Sequence, residues 1–322
     1  MNEKKRIVIA GGSGFLGQVL ATHFLNAHWD AVILTRSPDQ AGLAGRPVGW
    51  DARTLSDWAK EIDGSDAVIN LTGKSVDCRY NARNRQEILE SRIHSTRVLG
   101  EAIHRCGQPP PIWLNASTAT VYRHTFGEPW DETGQTEATA EAKDRFSVEV
   151  AWAWEKALNE ATTPRTRKVA LRLAMVLGLG KNSVFPVLRR LSRLGLGGRM
   201  GSGRQFVSWI HETDYCRAVE WLITHDNFHG PINLTAPNPI PNGEMMRTLR
   251  QVCRVPLGIP ATNWMLEIGA FVLRTETELL IKSRRVIPGC LLESGFGFQF
   301  PTIRQAFENL IKTAEANPTR RK

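Results

Sequence analysis

The sequence predicts an α/β fold whose core is a parallel sheet covered by helices on both faces. Short apolar runs rich in β-branched residues alternate with longer helical patterns along the first half of the chain. Strands separated by helices in this way are typical of right-handed βαβ units. A glycine-rich turn joins the first strand to the first helix, which also favours this class of fold.

Each predicted strand is bounded by turn residues, and each predicted helix has apolar residues at helical spacing. The strands span residues 6–10, 31–35, 66–71, 112–116 and 168–172. The helices that follow span residues 14–27, 84–104 and 142–160.

The glycine-rich turn has the composition of a phosphate-binding loop. It consists of Gly11, Gly12, Ser13, Gly14, Phe15, Leu16 and Gly17. Glycines at these spacings allow a tight turn and a close approach of a pyrophosphate to the backbone, where the helix N-terminus supplies free N–H groups. Because the run lies between a strand and a helix, it predicts a Rossmann-type, doubly wound sheet that binds a dinucleotide.

The end of the second strand indicates which dinucleotide binds. Arg36 follows Thr35 at the position where NAD-binding sites carry an acidic residue, and an arginine there suits the 2′-phosphate of NADP. The alternative is that Arg36 is a solvated loop residue, and Asp39 lies close by. We favour NADP(H) as the cofactor.

The chain divides into two parts of unequal regularity. Residues 1–176 are the predicted NADP-binding domain, and residues 177–322 form a smaller α/β lobe with a C-terminal helical segment from about residue 250. Helices are expected over residues 242–254 and 263–282, with a last one from Thr302. In open α/β sheets the crevice at the carboxyl edge binds ligands, so we expect the small lobe to cover that edge.

Composition excludes several classes of protein. Hydrophobic residues make up 42% of the 322 residues and charged residues 23%, which is ordinary globular usage. The net charge of +9 lies mainly in the second half. No stretch interleaves aromatic residues with these basic residues, so a nucleic-acid partner is not expected. No apolar run is long enough for a membrane span, and the five cysteines form no C-x-x-C pair. We expect a cytoplasmic protein without a metal site.

Several segments resemble the extended short-chain dehydrogenase/reductases, namely residues 11–17, 66–73, 117–122, 172–178 and 209–214. A closer resemblance is to an uncharacterised "epimerase family" branch with a C-terminal domain of unknown function. Its matching segments run nearly end to end: Glu90-Ser-Arg92, Trp154-Glu155, Leu194-Gly-Leu-Gly-Gly198, Gly201-Ser-Gly-Arg-Gln205, Ser208-Trp-Ile-His211, Asn233-Leu-Thr-Ala-Pro237, Val286-Ile-Pro288, Glu293-Ser-Gly-Phe296 and Phe300-Pro301.

This resemblance implies an extended Rossmann fold, a preference for NADP and a set of cofactor neighbours beyond the glycine run. These neighbours are Thr35, Arg36, Leu71, Thr72, Gly73, Glu87, Arg92 and Val176. The name of the branch implies no particular reaction.

The resemblance fails at the catalytic residues. The wider superfamily uses a Tyr-x-x-x-Lys pair, in which the lysine lowers the pKa of the proton-transferring tyrosine from the same helix face. No tyrosine of this chain is followed by lysine at that spacing. On the expected helix the corresponding residues are Val150 and Trp154, which transfer no proton. Ordinary carbonyl reduction by the usual route is therefore in doubt.

Three hydroxyl groups are candidates for catalysis. Thr118 occupies the place of the superfamily's catalytic Ser or Thr, with Ser117 beside it, and it could polarise a substrate oxygen. The alternative is that both satisfy backbone groups at a strand end. Tyr122 is a candidate stand-in acid, or else a packed aromatic residue.

Charged residues outside the glycine loop are weaker candidates. Arg79 and Arg83 could bind an anionic substrate, or they are solvated charges at a helix entry. His211, with Asp214 near it, is more simply structural than a substrate contact. Glu155 is expected to pair with a neighbouring base.

Two functions remain open. The first is an NADPH-dependent oxidoreductase or epimerase that acts on a small molecule, either neutral or anionic. The alternative is a non-catalytic NADPH-binding sensor or scaffold, which the missing Tyr-Lys pair favours. The sequence does not specify an oligomeric state.

Overall fold

The computed structural model describes residues 4–180, 182–262, 265 and 282–316. Its centre is a seven-stranded parallel sheet. The strands of this sheet are β1 (Arg6–Ala10), β2 (Asp30–Thr35), β3 (Arg46–Gly49), β4 (Ala67–Asn70), β5 (Ile112–Thr118), β6 (Arg167–Leu173) and β10 (Gly230–Leu234). They lie side by side in the order β10-β6-β5-β4-β1-β2-β3. The predicted doubly wound α/β fold is confirmed.

Four short strands lie outside this sheet. They are β7 (Met175–Leu177), β8 (Phe206–Val207), β9 (Trp209–His211) and β11 (Ile240–Pro241). The described helices are α1 (Phe15–Asn26), α2 (Ala82–Arg105), α3 (Arg145–Glu160), α4 (Val184–Arg193), α5 (Glu212–Thr224), α6 (Asn242–Val252), α7 (Gly289–Glu293) and α8 (Ile303–Ala316). Within the described ranges, no helix combines the length and apolar character needed to cross a bilayer.

The first strand shows why the sheet is buried on both faces. Successive side chains of a strand point to opposite sides. Ile7 and Ile9 therefore join the core formed with α1 and α5, whereas Val8 and Ala10 join the core formed with α2 and α3. A strand that is apolar at every position fits only between two layers of helices.

A third apolar cluster lies among the elements that follow β6. Phe185 of α4, Met246 of α6 and Phe307 of α8 pack together with Trp209 of β9. Between α5 and α6 the chain returns to the main sheet as β10, which pairs with β6 and extends the sheet by one strand. The sequence did not predict that return to the sheet.

Other elements differ from the prediction for local reasons. β3 was not predicted because it is a largely exposed edge strand that contains Pro47. α4 and α5 were not predicted, and they lie on either side of the glycine-rich residues 195–203. The helix expected over residues 263–282 falls almost wholly outside the described residues.

His211 connects β9 to α5 through its imidazole ring. Its Nδ1 accepts a hydrogen bond from the Thr213 N–H at 3.0 Å, which caps α5. The ring packs against Phe300, with centroids 4.0 Å apart. Asp214 accepts N–H bonds from Gln299 and Phe300. Both side chains therefore tie the C-terminal segment to α5, as expected of structural residues.

The burial of His211 should make stability depend on pH. Burial lowers its pKa to about 4, below the unfolded value of about 6.5. The unfolded state binds the proton more tightly, so stability is present above pH 6.5 and is lost as the pH falls towards 4. From pH 7 to pH 5 the loss from this group should be about 2 kcal/mol.

Urea denaturation at the two pH values measures this loss. His211→Asn, which keeps an acceptor for the helix cap, is the matched control and should show a smaller fall. Equal pH dependence in the two proteins would contradict the assignment.

Candidate functional site

Three glycines of the loop between β1 and α1 are required by the protein's own packing. Gly11 has a φ of +73°, which residues with side chains rarely adopt. A Cβ on Gly12 would lie 2.8 Å from the Ile9 carbonyl oxygen, and a Cβ on Gly17 would lie 2.4 Å from Gly12 Cα. These glycines let α1 begin directly against the end of β1.

Gly14 differs from the other three, because the surrounding protein leaves room for a side chain. Among the described residues, a Cβ there would meet only the Gly11 carbonyl oxygen, at 3.6 Å. Gly14 precedes α1, no side chain caps this helix, and its first turn has no acidic residue. The free N–H groups and dipole of α1 are thus available beside an open space, which suits the phosphates of a ligand.

Contacts from three elements hold the remaining residues of the loop. Ser13 Oγ accepts a hydrogen bond from Thr35 Oγ1 at 3.0 Å. Phe15 packs under the turn after β7, where a Cβ on Gly180 would lie 2.5 Å from its ring. Leu16 packs against the same core as Val176 of β7. The turn after β7 therefore borders the glycine loop.

Thr35 and Arg36 lie at the carboxyl end of β2. Thr35 is buried, and its hydroxyl also accepts the N–H of Ser37 at 3.2 Å. Arg36 is exposed. Within the part of the chain that the structure describes, its guanidinium forms no ion pair or hydrogen bond. Arg36 is thus a free cation beside the glycine loop.

The segment after β4 runs alongside the loop. The Leu71 N–H donates to the Ala10 carbonyl at 2.9 Å, and the Thr72 N–H donates to Asn70 Oδ1 at 3.0 Å. A Cβ on Gly11 would lie 3.0 Å from Thr72 N. Thr72 Oγ1 is buried without a partner among the described residues. An unpaired buried hydroxyl is uncommon, and it indicates room for a polar ligand.

Glu87 and Arg92, both on α2, have opposite electrostatic environments. Lys74 and Arg83 both donate to the Glu87 carboxylate, which lowers its pKa to about 2. Arg92 has no carboxylate within ion-pair distance in the described ranges, and burial lowers its pKa to about 10. Arg92 therefore remains a cation at neutral pH, without a neutralising partner.

A row of polar side chains crosses the carboxyl ends of β5, β6 and β10. Ser117, Arg172 and Asn233 are register neighbours on these three strands. Arg172 forms a two-point ion pair with Glu155 of α3, with both distances 2.9 Å. Ser117 Oγ donates to the same carboxylate at 2.6 Å. Glu155 thus pairs with a neighbouring base, as expected.

Tyr122 completes this row. Its hydroxyl donates to Asn233 Oδ1 and accepts from Arg172, both at 2.8 Å. The side chain is 1% exposed, and burial raises its pKa to about 12. These contacts favour the packed-aromatic interpretation over an acid that donates to a substrate.

Thr118 is the most accessible of the three predicted catalytic hydroxyls. It is half-buried at the end of β5, and its Oγ1 accepts the Thr120 N–H at 3.1 Å. Accepting this bond leaves the hydroxyl proton free to be donated. Ser117, by contrast, is 3% exposed and donates to Glu155.

Two residues of this row were not predicted as site residues. Arg172 and Asn233 lie on strands whose apolar pattern gave no sign of a shared polar network. Asn233 also binds the C-terminal segment, because its Nδ2 donates to the Ile287 carbonyl at 2.9 Å. Glu132 accepts the N–H groups of Asn233 and Cys290. The strand ends are thus fixed to residues 287–290.

Two known families match most of the chain. Residues 7–234 match the NAD dependent epimerase/dehydratase family. The chain belongs to this family. Residues 261–310 match a domain of unknown function, DUF1731, so the resemblance inferred from the sequence is confirmed.

Individual relatives are similar over nearly their full length. An epimerase family protein of Staphylococcus epidermidis is 30% identical over 312 residues, covering 96% of this chain and 99% of the relative. Epimerase family protein SDR39U1 of Homo sapiens is also 30% identical, covering 95% and 99%. A crystal structure of human SDR39U1 (isoform 2) with NADPH has a TM-score of 0.81, at 26% identity, covering 95% of this chain and 99% of that one.

Arg172→Met should destabilise the fold strongly, because it leaves the Glu155 carboxylate without its partner. The side chains of the pair are only 8% and 14% exposed, and breaking a buried pair costs about 3 kcal/mol or more. Guanidinium denaturation of the purified variant measures this loss.

The matched control is Lys60→Met, which breaks the solvent-exposed pair with Asp57. It should leave the denaturation midpoint unchanged. Equal midpoints for Arg172→Met and the unaltered protein would show that the Arg172–Glu155 pair contributes nothing to stability.

Proposed function

We propose that this chain binds NADPH on the loop from Gly11 to Gly17 and is an NADPH-dependent oxidoreductase or epimerase acting on a small molecule. The observation that carries the proposal is the uncapped start of α1 beside Gly14. A pyrophosphate placed there would accept bonds from free N–H groups and interact with the positive end of the helix dipole.

The phosphorylated form of the cofactor is favoured by Arg36. This exposed cation follows Thr35 at the end of β2, where a 2′-phosphate would offer it two or more oxygen acceptors. Positions 36 and 37 carry arginine and serine, and neither has a carboxylate that would accept a hydrogen bond from the 2′-hydroxyl of NAD. The human relative solved with NADPH supports the same choice.

The other predicted cofactor neighbours line the same edge of the sheet. Leu71, Thr72 and Gly73 follow β4, and Arg92 faces this segment from α2. The Thr72 hydroxyl and the Arg92 guanidinium, which lack a hydrogen-bond partner and a carboxylate respectively among the described residues, would both gain partners from a bound dinucleotide. Glu87 pairs with Lys74 beside this segment, and Val176 of β7 lies in the core against which Phe15 and Leu16 of the glycine loop pack.

The catalytic part of the proposal rests on Thr118. When bound, NADPH supplies a hydride to an electrophilic carbon. Thr118 would donate its free hydroxyl proton in a hydrogen bond to a substrate oxygen and so polarise it. The buried Glu155–Arg172 pair holds the end of β5 on which Thr118 lies. Tyr122 is committed to Arg172 and Asn233 and takes no part.

A second candidate function is a non-catalytic NADPH-binding sensor or scaffold. It is favoured by the absence of any Tyr-x-x-x-Lys pair from the sequence and by the engaged hydroxyl of Tyr122. Such a protein would bind the cofactor as tightly as an enzyme but would not oxidise it.

Gly14→Ala should weaken NADPH binding without loss of stability. The added methyl group would enter the space beside the helix N-terminus, where it meets no protein atom closer than 3.6 Å. We expect a loss of affinity of about tenfold or more, since the methyl group blocks the approach of the pyrophosphate to the backbone.

Gly17→Ala is the matched control, since its methyl group would collide with Gly12 at 2.4 Å. It should lower the melting temperature as well as the affinity. NADPH fluorescence titration and thermal denaturation provide the two readouts. An undiminished affinity in Gly14→Ala would contradict the placement of the phosphates.

Turnover distinguishes the two candidate functions. We expect the unaltered protein to oxidise NADPH with at least one member of a broad panel of small carbonyl compounds. Thr118→Val should reduce kcat for that compound by about 100-fold, with little change in NADPH affinity. Tight NADPH binding with no turnover on the whole panel would favour the sensor.

A further inference from the structure

We propose that Trp154 is a positioning residue of the cofactor site, whose indole ring holds the Arg92 guanidinium in place for the bound dinucleotide. The inference rests on the proposed function, because Arg92 acts here as a cofactor neighbour. It assigns to α3 a task that none of the predicted site residues performs.

The guanidinium of Arg92 contacts the indole ring of Trp154 directly. Arg92 Cζ lies over the Trp154 ring, 4.9 Å from its centroid. Trp154 is 6% exposed, so the contact is largely shielded from water. A guanidinium stacked on a desolvated indole ring is among the stronger cation–π arrangements.

Hydrogen bonds fix the indole ring of Trp154 in place. Trp154 Nε1 donates to Thr96 Oγ1 at 3.1 Å. Thr96 Oγ1 in turn donates to the Arg92 carbonyl at 2.8 Å, one turn earlier on α2. The platform and the cation are therefore connected through a single hydroxyl, so the ring cannot shift along α2 without breaking these bonds.

Of the guanidinium nitrogens of Arg92, Nη1 donates to the protein backbone. Its Nη1 donates to the carbonyls of Lys74 and Ile88, at 3.1 and 2.9 Å. Within the described ranges, Nε and Nη2 have no hydrogen-bond partner. A Cβ on Gly73 would lie 3.0 Å from Arg92 Cζ, so the glycine leaves space for the guanidinium beside Thr72. The free donors thus lie at the edge where the cofactor is proposed to bind.

The nature of the partner explains the arrangement. A carboxylate would hold Arg92 equally well but would cancel its charge before any anion arrived. An aromatic ring stabilises the cation and leaves its full charge to attract an anionic group. Arg172 shows the contrast, because its guanidinium is neutralised by Glu155.

The test compares two substitutions of the same residue in the full-length chain. Trp154→Phe keeps an aromatic face, and Trp154→Leu keeps apolar bulk without one. NADPH affinity, measured by fluorescence titration, should fall about tenfold in Trp154→Leu and no more than about threefold in Trp154→Phe. In an Arg92→Gln background, where the cation is absent, the two substitutions should have equal effects.

A purely structural role predicts a different result, because both substitutions would then weaken binding equally. That outcome, or an unchanged affinity in Trp154→Leu, overturns the inference. If Trp154→Leu does not fold, Trp154→Met, which also removes the aromatic face, takes its place: a loss of about tenfold supports the inference, and affinity within about twofold of the unaltered protein overturns it. Failure of the unaltered protein to bind NADPH would instead contradict the proposed function.

Discussion

The region around the first strand depends on one steric constraint, which is the close approach of α1 to the end of β1. At Gly17 the helix comes so near to Gly12 that a single methyl group would not fit. This approach directs the start of α1 towards the carboxyl edge of the sheet and leaves its N–H groups uncapped. Gly14, which packing does not require, is then available to a ligand. The loop's geometry therefore explains the fold of the first βαβ unit, and it is the basis for the proposal that phosphate binds there.

Three arginines near this edge show how the environment determines the role of the same side chain. Arg172 is buried against Glu155 and Tyr122. The Glu155 carboxylate neutralises its charge, and its contacts hold three strand ends together. Arg92 is stacked on Trp154 and retains its charge. Arg36 is exposed to solvent and without a partner in the described ranges. Only the last two can contribute a net positive charge to an anionic cofactor.

The sequence predicted the elements that carry a strong local signal. The glycine loop, β1, α1 and the long helix α2 have periodic or glycine patterns, and the structure places them within a few residues of the prediction. β3 has no such pattern, because an exposed edge strand needs no apolar alternation. The bond between Tyr122 and Asn233 joins residues 111 positions apart, and the return of β10 to the sheet beside β6 brings them together. The stacking of Arg92 on Trp154 likewise depends on the packing of α2 against α3.

The central claim is that the cation-lined edge beside the glycine loop is built for a 2′-phosphorylated dinucleotide. Isothermal titration of the unaltered protein with NADPH and with NADH, at one ionic strength, tests it most directly. We expect saturable one-to-one binding of NADPH, with NADH weaker by about tenfold or more because it lacks the group that Arg36 would bind. Equal affinity for the two cofactors, or no binding of either, would contradict it.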